Sequence, residues 1–217
     1  MRQSFSVVTP ATSLLLLTIE QLRAAAGLAV GDTSRDDELT LTGIGISTDI
    51  AVTCGVFGDG VNQVTLLSEQ VSETLWHFDR PCEVFLARRF VSAIAEVLEG
   101  GVALTTSDYT IDRETGMLYR VSSGRPWVWP QGELKITYTA GFSTAPADLQ
   151  MAAVELARMR LSASSRDPLV KSESIEIPDV QTKRQDFWVG ALPGSDVGPV
   201  PKEILARLAR YMSVMVA

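Results

Sequence analysis

The chain reads as an α+β protein: a mainly α-helical core of about four helices, an inserted antiparallel β-meander, and a long mobile loop before the C-terminal helix. Three observations predict this. Apolar residues recur at helical spacing near the start and again from Leu149, but alternate with period two between Phe78 and Phe142. Turn residues cut the alternating stretch into short runs, which is the pattern of an antiparallel meander. A polar, proline-bearing segment, Ser164–Pro201, then separates two helical patterns. The expected parts are 1–76 (helical), 77–145 (the β insertion) and 146–217 (long helix, extended arm and C-terminal helix), with the first and last forming one composite domain.

Met1–Thr12 is polar and reads as extended. Thr18 followed by Gln21 is a capping box, so a helix over Ile19–Ala26 ends at Gly27. Asp36, Asp37 and Glu38 open a second helix, where acids favour the positive end of the helix dipole. Gly43 and Gly45 predict a break in it, or close contact with a neighbour. Val61–Leu67 reads as a short strand, and Leu66–Trp76 fits either helix or strand. Runs at Cys82–Leu86, Phe90–Leu98, Val102–Leu104, Tyr109–Asp112, Met117–Val121 and Glu133–Thr139 supply the meander. Ser122–Pro126 reads as a loop. After Gly141 and Ala145-Pro146 the chain turns helical, with Thr144, Ala145 or Asp148 as the cap. Small residues on that helix, Ala152, Ala153 and Ala157, suit either the core or a neighbouring subunit. Pro201 opens the last helix, with Ile204, Leu205, Leu208 and Tyr211 on one face.

Composition narrows the chemistry. The chain has 217 residues, a formal charge of −7, one histidine and two cysteines. Residues 1–75 hold three Lys/Arg against nine Asp/Glu, so most of the negative charge lies there. Tight nucleic-acid binding needs clustered cations, and this chain lacks them. With only His77 available, most histidine-based metal and triad chemistries are removed. No phosphate-binding loop, nucleophile elbow or dinucleotide-binding glycine pattern occurs. Catalytic, cofactor and metal sites are therefore not expected. Cys54 and Cys82 have no metal-type spacing, and two buried thiols are favoured over a disulfide. Leu14–Leu17 is too short to span a membrane, and a cytosolic protein is expected. Asp108 and Asp112 fit hairpin-turn roles. Trp127 and Trp129, two apart, are read as sharing one strand face, either in a core or subunit contact or as a glycan- or peptide-binding pair.

The order of these motifs resembles the head–tail connector (adaptor, or head-completion) proteins of long-tailed phages and related prophage elements. Leu17–Leu22 and Asp36-Asp37-Glu38-Leu39 carry the resemblance near the start. Asp108–Asp112 and Gly116–Tyr119 continue it as a hairpin. Ile136–Phe142 with Pro146, Asp148, Leu149 and Ala152 follow, and Pro201–Tyr211 closes it. The chain departs from that pattern at the Gly43–Ser47 segment and in the length of Ser164–Pro201. The resemblance implies a virion protein without catalysis, made in the cytoplasm of a bacterial host. It implies a ring of the chain with itself, usually dodecameric, docked on the portal protein. A tail-side connector or tail terminator protein would meet the other face, with genomic DNA passing unbound and no membrane involved.

Candidate partner-binding residues are Ile175, Ile177, Lys183, Arg184, Phe187 and Trp188 in the arm, and Leu205, Leu208 and Tyr211 in the last helix. Aromatic residues and arginine within polar sequence match the composition of interface hot spots. Asp36, Asp37 and Glu38 are candidate channel-lining acids. Trp188→Ala is expected to weaken assembly and leave the thermal midpoint of the subunit unchanged. A melted subunit would instead assign Trp188 to the core.

Overall fold

A computed structural model describes residues 2–77, 79–163, 172–177, 181–186 and 198–213. The chain forms two compact units: Met1–Leu14, Cys54–Pro146 and Ser213–Ala217 make the first, and Leu15–Thr53 with Ala147–Met212 make the second. The fold is α+β, but the expected predominance of a helical core is overturned. Strand and helix have near-equal shares, and the β part buries a core of its own. The division also differs from the expected boundaries, because residues 2–9 and 69–77 are strands of the first unit.

That unit holds nine strands: β1 (Arg2–Thr9), β2 (Glu69–His77), β3 (Glu83–Phe85), β4 (Val91–Glu99), β5 (Val102–Ala103), β6 (Tyr109–Asp112), β7 (Met117–Ser122), β8 (Arg125–Trp127) and β9 (Gly132–Ala140). One antiparallel sheet runs β1-β2-β9-β4-β5, and a second runs β3-β7-β6, with β8 paired to β7. Val71, Leu75, Val84, Leu86, Val97, Leu118, Leu134, Ile136 and Tyr138 share one core with Trp129. β8 occupies part of the expected 122–126 loop. The ambiguous Leu66–Trp76 stretch resolves as β2, paired to β1 and β9 along its length. Its inward residues are Glu69, Val71, Glu73, Leu75 and His77, all buried, so the alternation is present but three of the five inward positions are polar.

The second unit is helical, with a two-stranded hairpin. Its elements are α1 (Ile19–Ala25), α2 (Asp36–Thr53), α3 (Ala147–Ala163), β10 (Ser172–Ile177), β11 (Gln181–Asp186) and α4 (Lys202–Leu208), followed by a 3₁₀ turn over Ala209–Tyr211. The capping box forms: Thr18 Oγ1 accepts from Gln21 N, and the Gln21 side chain accepts from Thr18 N at 2.8 Å. Arg23 grips Asp36 through two hydrogen bonds of 2.8 and 2.5 Å, tying α1 to the start of α2. Arg160 Nη2 donates to Asp49 at 2.6 Å, Arg207 meets Glu155 at 3.0 Å, and Tyr211 Oη donates to Asp148 at 2.6 Å. The small face of α3 belongs to this unit's own packing, since Ala152, Ala153, Leu156 and Ala157 are fully buried. Part of the expected long loop is the β10–β11 hairpin, in which Ile175 pairs with Lys183 and Ser174 with Arg184.

The expected break at Gly43 and Gly45 does not occur, and α2 runs unbroken through both. Gly43 is set by packing: a Cβ there would lie 2.7 Å from Leu22 Cδ1 and 2.8 Å from Leu15 Cδ2. Among the described residues nothing lies within 4 Å of such a Cβ at Gly45. In the β unit, Gly141 has φ +94° and a Cβ there would press into the Leu67 backbone, 2.8 Å from Leu66 O. That close approach lets Phe142 N donate to Leu66 O and Ser68 N to Phe142 O.

The three glycines are expected to respond differently. Gly141→Ala loses about 2 kcal/mol or more, from backbone strain and a clash that no side-chain motion relieves. Gly43→Ala is also destabilising. Gly45→Ala gains up to about 1 kcal/mol from helix propensity alone. Urea denaturation of the three variants checks this order.

Candidate functional site

The polar groups buried in the β unit are the first place to look for chemistry. Glu73 is fully buried, and its carboxylate accepts from Gln3 Nε2 (2.6 Å), Ala87 N (2.9 Å) and Tyr138 Oη (2.9 Å). Tyr138 Oη in turn accepts from Arg88 N at 3.2 Å. Arg88 donates to Glu69 Oε2 at 2.9 Å and to Thr65 O at 2.8 Å, with its guanidinium over the Phe5 ring. Burial pushes the Glu73 carboxyl up, opposed by those three donors. It also pushes Glu69 up and Arg88 down, and their mutual attraction opposes both shifts. Every donor to Glu73 comes from a strand or a strand-connecting loop, so the cluster acts as a structural clasp.

The nucleophile candidates are quiet. Cys54 is buried and its thiol is pushed up to about 12 by desolvation, which suppresses the reactive thiolate. Cys82 is exposed, and both cysteines are free, so the reading of two buried thiols holds for Cys54 alone. His77 is buried, with no hydrogen-bond partner at Nε2 among the described residues, and burial lowers its pKa. Asp108 and Asp112 do turn work: Asp108 accepts from Thr105 N and Asp112 from Glu114 N. Among the described residues no group of three His, Cys, Asp or Glu side chains could hold a metal.

Trp127 and Trp129 do not form the pair expected of them. Trp129 is fully buried in the core under the Arg120 guanidinium, while Trp127 is 58% exposed at the end of β8. The chain leaves the strand after Trp127, which ends the two-residue alternation that would have kept both rings on one face. Two open clefts of about 470 Å³ mark the β unit. One is lined by Thr9, Thr12, Ser13, Ser68, Gln70 and Thr139 among others, and the second by Arg2, Trp76, His77, Gln131 and Gly132. Neither brings together a nucleophile and a base.

The surface of the helical unit is the remaining candidate. Of the three expected channel acids, Asp36 is held by Arg23 and Glu38 by Arg35 at 2.7 Å; only Asp37 is exposed without an ion pair among the described residues. In the C-terminal helix, Leu208 and Tyr211 are buried in their own unit, at 0% and 3% exposure, and are not available to a partner. Leu208 ends α4, which packs on α3, and Tyr211 follows in the 3₁₀ turn, where its hydroxyl donates to Asp148 at the start of α3. Leu205 is half-buried. Ile175 and Ile177 lie on β10, Lys183 and Arg184 on β11; Phe187 and Trp188 lie outside the described residues. Sequence reading missed the outward line Leu41, Gly45, Thr48, Val52 on α2. Its signal was available in the spacing of Leu41 and Val52, but Gly43 two residues before Gly45 obscured it.

The sequence matches no protein-family model and no curated protein. Solved structures share its fold over essentially the whole length. One is a chain in the neck of an empty gene transfer agent particle computed with C6 symmetry, at 17% identity and TM-score 0.54, covering 100% of this chain and 98% of the other. A second is in the virion of the native gene transfer agent particle, at 13% identity and TM-score 0.55, covering 98% and 97%. A third is in the neck of the native particle computed with C12 symmetry, at 13% identity and TM-score 0.51, covering 100% and 98%.

The buried histidine gives a signed pH dependence. Its folded pKa lies below 6.5, so the unfolded chain binds more protons as pH falls below that value, and stability is lost there. Glu69 and Glu73, raised by burial, act in the opposite sense and lose stability as pH rises through their folded values. Asp79 favours the charged imidazole and softens the histidine effect. Comparing His77→Gln with the parent chain in urea between pH ~5 and ~7.5 isolates the histidine. The variant is expected to lose less stability than the parent toward the acid end.

Proposed function

We propose that this chain is a structural subunit of the neck of a tailed particle. Copies of it form a ring, dodecameric by the resemblance, between a portal protein and a tail-side connector or tail terminator protein. Genomic DNA passes through the ring without specific binding, and the protein does its work in the virion after synthesis in a bacterial cytoplasm.

The observation that carries this reading is the full-length likeness of fold to chains of necks computed with C6 and C12 symmetry. Likeness across both units is more specific than a match to either alone. Electrostatics supports passage: a net charge of −7 repels a phosphate backbone, and binding it would need clustered cations. That repulsion rests on the whole chain more than on the acidic turn, because Asp36 and Glu38 already face arginines. Among the described residues no helix is long and apolar enough to cross a membrane. A glycan-binding module would need both Trp127 and Trp129 at the surface, and Trp129 is in the core.

Sizing chromatography with negative-stain electron microscopy of the purified chain tests the reading. Rings with a central opening, and no retention of duplex DNA at physiological salt, are expected. A chain that stays monomeric at its highest soluble concentration, or that binds duplex tightly, would overturn it.

A further inference from the structure

We infer that neighbouring copies meet through an antiparallel contact between the outward stripe of α2 and the outward stripe of α3 of the next copy. Met151 seats at Gly45, and Arg158 faces Asp37. This contact rests on the ring reading above and names its interface.

On α2, Leu41 is 73% exposed and Val52 is 57% exposed, with Gly45 and Thr48 between them. Steps of four, three and four residues place all four on one line of a helix. The Thr48 hydroxyl already donates to the Ile44 carbonyl at 3.0 Å. The two glycines of α2 have different explanations. Gly43 is required by Leu15 and Leu22, whereas Gly45 meets nothing among the described residues and has no positive φ. Mid-helix glycine is unfavourable relative to alanine, and no described residue of the subunit supplies a reason for it. A side chain arriving from outside does.

On α3, Ala147, Met151, Val154 and Arg158 repeat the same steps, with Met151 55% exposed and Arg158 exposed. The segments Asp37–Thr48 and Ala147–Arg158 each span roughly 16 Å at 1.5 Å per residue, so the two match in length. An antiparallel register with Arg158 beside Asp37 brings Val154 to Leu41, Met151 to Gly45 and Ala147 to Thr48, and leaves Val52 past the start of α3. A flexible thioether suits a notch left by glycine. The parallel register also brings Met151 to Gly45, but it sets Arg158 against Val52 and leaves Asp37 beyond the start of α3. Charge therefore selects the antiparallel form. α2 carries Asp36, Asp37, Glu38 and Asp49 and no Lys or Arg. Neither Asp37 nor Arg158 is in an ion pair among the described residues. Two different faces meeting head to tail do not close a dimer and form a ring where the rotation between copies closes, so a second copy is the fitting occupant. The assignment moves Asp37 from the channel to the subunit boundary.

The test uses the full chain and compares the parent with Gly45→Leu, Asp37→Arg and the double variant Asp37→Arg/Arg158→Asp. Assembly is read by sizing and electron microscopy, and folding by the thermal midpoint. Gly45→Leu should keep or raise the midpoint while weakening assembly on the order of tenfold or more. Asp37→Arg should weaken assembly, and the double reversal should restore it. Single variants that assemble like the parent would overturn this contact and leave the ring reading standing. The same holds for a double reversal that restores nothing, or for a Gly45→Leu midpoint that falls. A parent chain that never assembles would remove the ring reading, and this contact with it.

Discussion

The β unit depends on how one buried carboxylate is satisfied. Glu73 sits fully inside, and its three donors come from β1, from the loop after β3 and from β9. An unpaired charge in that position would cost several kcal/mol. The sheet order that lets Gln3, Ala87 and Tyr138 converge is therefore coupled to the protonation and bonding of one side chain. The Arg88–Glu69 pair extends the same constraint to Thr65 and Phe5. Such networks are weak sources of net stability, because desolvation offsets most of the attraction. Losing one member is costly, since its partners are left buried without satisfaction.

The helical unit is held differently. Its core is aliphatic and alanine-rich, and its ion pairs lie toward the rim: Arg23 with Asp36, Arg160 with Asp49, Arg207 with Glu155. Pairs of this exposure add little individually, so burial of Leu22, Leu39, Ile46, Leu149, Leu156, Ile204 and Leu208 dominates. With Leu208 and Tyr211 buried, the large apolar residues left exposed in this unit are Val30 in the α1–α2 loop, Leu41 and Val52 on α2, and Met151 on α3. Leu41, Val52 and Met151 remain more than half exposed while the inward residues of the same helices are buried. Under the proposed ring, Leu41 and Met151 are the side chains that a second copy would cover.

Much of this was legible in local chemistry. The capping box at Thr18, the strand Tyr109–Asp112, the helix after Pro146 and the helix opened by Pro201 all follow from interactions within a few residues. β2 resisted because an inward row of Glu69, Glu73 and His77 looks polar on both faces until long-range partners are known. The break expected at Gly43 failed for a related reason. Glycine weakens an isolated helix, but here Leu15 and Leu22 fill the space beside it and pay back that loss.

The sequence by itself determined the turn positions, the helix starts, the antiparallel character of residues 82–140 and the acidic balance, because each rests on short-range sterics, capping or net charge. Only tertiary structure decided that residues 2–9 and 69–77 join the sheet, that Trp129 goes in while Trp127 stays out, and that Gly45 is open while Gly43 is not. Those outcomes turn on contacts between residues dozens of positions apart, and a pattern of spacings within one segment does not contain its partner.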